Sequence, residues 1–132
     1  MANVLYDKGR EKFLRGEISW NADDIKAVLV SEYVFGAAHE FLSSIVVGNR
    51  VATSANLDSK TTIAGVADAA DVTYSAVTGD PVSAVVLYKD TADPATSPLI
   101  AYIDDATGIP VTPNGGDITI EWDDGPNRIF KL

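Results

Sequence analysis

The sequence contains no cysteine, one histidine and one methionine. The first absence excludes disulfides, thiolate metal sites and cysteine nucleophiles together. A lone histidine leaves zinc with almost nothing but carboxylates to bind, which is a poor donor set for that ion. Cations are also scarce, with ten Lys and Arg against nineteen Asp and Glu, for a net charge of −9. That balance argues against nucleic acid as a partner, because affinity for phosphates comes mainly from clustered Lys and Arg. No apolar run approaches the roughly 20 residues a membrane-crossing helix requires. The opening Met1-Ala2-Asn3-Val4-Leu5-Tyr6-Asp7-Lys8 has no apolar core of a secretory signal. The expectation is a protein folded in a cytoplasm, with neither nucleic acid nor a membrane as its partner.

What is present suits a packed domain. Of 132 residues, 46% are hydrophobic and 22% charged, so disorder is not the default. The length suits one domain over residues 1–132. Charge is unevenly placed: residues 1–16 hold Lys8, Arg10, Lys12 and Arg15 against Asp7 and Glu11, a net of +2. The other 116 residues hold six basic and seventeen acidic side chains, a net of −11. Such a contrast marks either a segment that docks on an acidic surface or a solvated helix face.

Residues 3–16 read as a short helix. Leu5, Tyr6, Gly9 and Phe13 share about a third of the circumference. Asn3 suits the N-cap, and Gly16 suits a stop after Lys12 and Arg15 in the last turn. So narrow an apolar stripe needs something to lie on. After Trp20, the run 24–30 is apolar on both faces, as in a strand covered on each side. Residues 37–42 suit one or two helical turns. Residues 46–56 and 61–77 are β-like, rich in Val, Thr, Ala and Ser, with weakly specified register. Strands are expected at 83–89 and 99–103. In 117–123, three apolar side chains alternate with four polar ones, the pattern of a half-buried strand. Gly108-Ile109-Pro110 and Pro113-Asn114-Gly115-Gly116 are turn chemistry, and 124–127 turns the chain into a last strand at 128–132. Short strands punctuated in this way predict a mainly β fold. The form expected is an antiparallel sandwich or barrel, jelly-roll-like, with a short N-terminal helix and a second short helix near residue 40.

Catalytic motifs fail one by one. His39-Glu40 resembles the start of a zinc-protease helix, but the second histidine would fall at Ser43. The simpler reading is a histidine touching its neighbours. Asp104-Asp105 and Asp123-Asp124 could be a glycosidase pair, yet nothing fixes their separation, and Asp beside a turn commonly bonds the turn backbone. With Asp117 they could also line a calcium site, although the spacing of a helix–loop–helix calcium loop is absent. Asn114-Gly115-Gly116-Asp117 leads into a strand rather than a helix, so it is a turn and not a phosphate cradle. Trp20, Trp122, Tyr88 and Tyr102 should bury the largest areas. Trp122 belongs to the core face of its strand, and Trp20 suits either core packing or an interface.

Several strings resemble a family of small structural proteins of tailed-phage virions. They are Tyr6-Asp7-Lys8-Gly9-Arg10-Glu11-Lys12-Phe13-Leu14-Arg15-Gly16-Glu17-Ile18-Ser19-Trp20, Ala38-His39-Glu40-Phe41-Leu42, Arg50-Val51-Ala52-Thr53-Ser54, and Ser97-Pro98-Leu99-Ile100-Ala101-Tyr102-Ile103-Asp104. Pro113-Asn114-Gly115-Gly116-Asp117-Ile118 is similar too, so the likeness runs through nearly the whole chain. It implies a non-enzymatic virion part without cofactor or metal, made in the host cytoplasm. The leading form is a capsid decoration (cement) protein on the major capsid protein, homo-oligomeric and preferably trimeric by analogy with threefold positions of a shell. A tail, neck or fibre component is the alternative, and a carbohydrate-binding module using Trp20 is a second. In the leading form residues 1–20 are a helical docking segment, with Lys8, Arg10, Lys12, Arg15 and Trp20 as its partner-binding residues.

Overall fold

The computed structural model describes residues 4–104, 106–122 and 128–131. The expected turn at 124–127, Asn3, Asp105, Asp123, Asp124 and Leu132 lie outside the described residues. In chain order the elements are β1 (Val4–Leu5), α1 (Asp7–Leu14), β2 (Ile25–Val30), β3 (Arg50–Thr53), β4 (Val66–Ala67) and β5 (Val72–Tyr74). They continue with β6 (Ala84–Lys89), β7 (Leu99–Ile103), β8 (Ile118–Ile120) and β9 (Phe130–Lys131). A five-stranded antiparallel sheet has the order β1-β7-β6-β2-β3, and β4-β9 and β5-β8 form two small antiparallel sheets. The fold is mainly β, as expected. The large sheet is open at β1 and β3, so the arrangement is sandwich-like and not a closed barrel.

Alternation along the strands divides the interior into two cores. Ile25, Ala27, Leu29, Val85, Leu87, Ala101 and Ile103 leave one face of the sheet to meet Ala67, Tyr74, Ile118, Ile120 and Phe130 of the small sheets. Val28, Val30, Val86, Tyr88 and Leu99 leave the other face to meet Tyr6, Tyr33, Leu42 and Ile45. Both faces of β2 are therefore covered, and every residue of it but Lys26 is buried. A two-sided apolar run needs that cover. Each fully buried Val, Leu or Ile contributes about 1.5–3 kcal/mol by leaving water.

Two expectations need correction at their boundaries. The helix is Asp7–Leu14, shorter than 3–16, because Val4 and Leu5 pair with Tyr102 and Ala101 on the edge of β7. Backbone groups at a sheet edge offer hydrogen bonds that a frayed first turn lacks. The second helical piece is not 37–42 but a 3-10 turn at Leu42–Ser44, followed by another at Val47–Asn49. There Leu42 N–H bonds Ser97 O, and Leu42 and Ile45 drop into the second core. The stop at Gly16 is as expected: it follows the C-cap Arg15 with φ of +74°, which glycine adopts without cost. The β-like stretch 61–77 is broken by a tight turn at Ile63–Gly65.

At the end of β2, Lys26 Nζ lies 2.9 Å from Asp90 Oδ2, and both side chains are about one quarter exposed. The hydrogen bond from Lys26, then the Ala92 N–H, hold the Asp90 carboxyl below its ordinary range. The same bond raises the Lys26 ammonium. A carboxyl depressed on folding adds stability above its unfolded pKa and loses it as pH falls through the folded value. Asp90→Asn should therefore cost about 1 kcal/mol at neutral pH. Its difference from the parent should shrink as pH falls below the ordinary carboxylate range and vanish once Asp90 is protonated in the folded state, as read by urea midpoints at several pH values.

Candidate functional site

The expected docking segment is built into the body of the protein. Tyr6 N–H bonds Ile100 O at 3.0 Å, where β7 bulges, and α1 then lies directly on that bulge. Gly9 faces it; a Cβ there would stand 2.7 Å from Leu99 O. One turn on, Lys12 is only 7% exposed. Its Nζ donates to Glu40 Oε2 at 2.9 Å, lies 3.9 Å from Glu17 Oε1 and sits 5.3 Å from the centre of the Phe41 ring. The hydrogen bond from Lys12 holds the Glu40 carboxyl below its ordinary range. A cation this far from water needs such company. Lys12 is thus a tie between α1 and the 39–41 segment, turned inward.

Trp20 is 5% exposed, its indole N–H donates to Asp68 O at 3.1 Å, and its ring meets Phe130 edge-on at 5.3 Å. Of its two readings, core packing is the one observed. A buried ring is no platform for a sugar. Trp122 is likewise core, with its indole N–H on Ala70 O at 3.0 Å. The remaining candidates stay at the surface: Lys8 pairs with Glu11 and Arg10 with Asp7, both one helical turn apart, while Arg15 is exposed.

Beside these ion pairs stand exposed apolar side chains. Leu14 is 90% exposed at the end of α1. Leu5, Arg10, Phe13, Leu14 and Lys131 line an open hollow of about 360 Å³. Phe13 is shared with a second hollow of about 180 Å³, where it meets Trp20, Thr62, Gly65, Ala67 and Phe130. A third, of about 320 Å³, follows along the 61–68 hairpin, where Ile63 is 79% exposed. The second core has an outer surface of its own: Val34 is 81% and Val47 75% exposed, beside the buried Tyr33 and Ile45. Sequence reading missed both apolar surfaces. Isolated valines and leucines in polar loops carry no periodic signal, and only the fold shows which of them stay uncovered.

Catalytic candidates are placed as follows. His39 Nδ1 is 2.7 Å from the Tyr33 hydroxyl, which is 2.9 Å from the hydroxyl of fully buried Tyr6. Burial and the Tyr33 hydrogen bond push the Tyr6 phenol far above its ordinary value. His39 therefore ends a hydrogen-bonded chain into the second core and touches its neighbours, as in the simpler reading. Tyr6→Phe should cost about 1–2 kcal/mol, because Tyr33 loses a buried partner. An unchanged urea midpoint would contradict it. Asp117 accepts from Ala76 N–H and Asp71 from Trp122 N–H, so both carboxylates serve backbone turns. Among the described residues, no group of three or more His, Asp or Glu could hold a metal ion, and no helix is long and apolar enough to cross a membrane.

No protein-family model and no curated protein matches this chain. The fold and its surface must carry the functional argument.

Proposed function

We propose that this chain is a structural protein of a tailed-phage virion, working by adhesion, and in its most specific form a decoration protein that binds and stabilises the major capsid lattice. One observation supports this best. Large apolar side chains are uncovered in two separate places, Leu14 and Ile63 beside the first core, Val34 and Val47 beside the second. The two cores lie on opposite faces of the central sheet. Apolar surface grouped beside charged or polar rims is where proteins meet other proteins. A cement must hold at least two neighbours, and apolar side chains left exposed beside each of the two cores suit that task. Binding only the assembled lattice would stabilise it by mass action, and many copies on a symmetric shell add avidity. The resemblance of the Tyr6–Trp20 and Ser97–Asp104 strings to virion proteins points the same way.

The test is co-sedimentation of the purified chain with expanded shells that lack it. Pelleting with the shells at moderate salt, reduced by Val47→Asp, is the expected result. A chain left in the supernatant would remove the decoration reading. Pelleting with tails or necks instead would move the protein to that part of the particle.

A further inference from the structure

Of the hollows beside the first core, the first and second share Phe13, and the second and third are lined by neighbouring residues of the 61–68 hairpin, a band that ends at Asp68 and Arg128. Arg10 and Lys131 line one end of it, and Arg15 follows Leu14 there. Arg15 and Lys131 have no ion-pair partner among the described residues. Elsewhere the exposed charge is mostly negative: Glu32, Asp58, Asp80, Asp93 and Glu121 are exposed and have no ion pair among the described residues.

We infer that the band from Leu14 to Ile63 is the docking surface for a second copy of this chain, which meets it with its acidic body and not with its own band. The inference rests on the adhesive reading above and names the occupant of one of its two surfaces. Charge decides the geometry. The band's lining holds Arg10, Lys131 and Arg128 against Asp68, and the exposed acids named above lie outside it, so band against body brings opposite charges together. Band against band would set Arg10, Arg15 and Lys131 against their own copies around an apolar centre. A contact between unlike surfaces is heterologous, so repeating it closes a ring when the rotation allows and otherwise grows a chain. The valines beside the second core remain free for the shell.

Sedimentation velocity of the full chain over a range of concentrations tests this. Association beyond a dimer is expected, weakened about tenfold or more by Leu14→Asp. Raising salt from about 0.05 M to about 0.5 M should weaken it too, as screening shortens. Because Leu14 is 90% exposed, the variant should keep its parent's melting temperature. Lys131→Glu, as a second probe, should weaken association and flatten the salt dependence. A monomer at every concentration, association that stops at a dimer, or association indifferent to both charge and Leu14 would each overturn the inference. Failure here with shell binding intact leaves the adhesive reading standing; association without shell binding removes that reading alone.

Discussion

Replacing Gly9 with alanine is expected to destabilise the protein by about 3 kcal/mol, the upper range for overpacking a tight contact. The sign is what makes the result informative. In an exposed helix interior the same change stabilises by about 1 kcal/mol. Here the new Cβ would stand 2.7 Å from Leu99 O and 3.2 Å from Ile100 Cα, both backbone atoms of β7. Neither can swing aside as a side-chain tip would. The helix must lift, and lifting strains the Tyr6–Ile100 backbone bond and the Lys12–Glu40 pair on the same face. Gly48 is the control: nothing lies within 4 Å of a Cβ built there, so Gly48→Ala should be close to neutral. Urea midpoints that move equally little for both variants would mean that α1 does not lie on the β7 bulge.

Trp20→Ala should cost about 3–5 kcal/mol, the range for removing a large buried ring. The loss has three parts: the indole area, the edge-on contact with Phe130, and one of the two hydrogen bonds on Asp68 O, which keeps the Thr61 N–H. Were Trp20 an interface residue, the isolated chain would melt at its parent's temperature and only binding would suffer. The thermal melt of the purified variant therefore separates the two roles without any partner present. Trp20→Phe, which keeps a ring against Phe130, should recover a good part of the loss.

Much of the scaffold was legible in the sequence because burial leaves a period. The run at 24–30 is apolar on both faces, and β2 is covered on both. The alternation over 117–122 gives Ile118, Ile120 and Trp122 inside, with Thr119 and Glu121 outside. Other parts left no local mark. A two-residue strand such as Val4–Leu5 is made by the edge it joins, and that edge lies almost a hundred residues further along the chain. Lys12 looks like any solvated helix cation, since its partner Glu40 is 28 residues away. The Tyr6–Tyr33–His39 chain is likewise long-range, joined through the second core. Of the expected docking residues, Lys12 and Trp20 are buried, and Lys8, Arg10 and Arg15 stay at the surface. Which of the α1 cations turn inward depended on Gly9, whose missing side chain lets α1 settle on the sheet.

The apolar surfaces follow the same logic. Leu14 looks like the next residue of a buried stripe, yet it sits past the point where α1 leaves the sheet. Val47 and Ile63 sit in tight turns that bury none of their residues, so their side chains stay in solvent with those of their neighbours. Single exposed apolar residues are common on soluble proteins; what supports reading the chain as a binder is that these stand next to cations on one surface and beside an aromatic core on the other.

The most direct measurement is a titration of purified chain onto expanded shells lacking it, counting copies bound at saturation while following the temperature at which the shells fall apart. Saturation at a fixed number of copies per lattice unit, with a rise in that temperature, is what the account predicts. Shells that take up none, or that disassemble at the same temperature with every site filled, would contradict it.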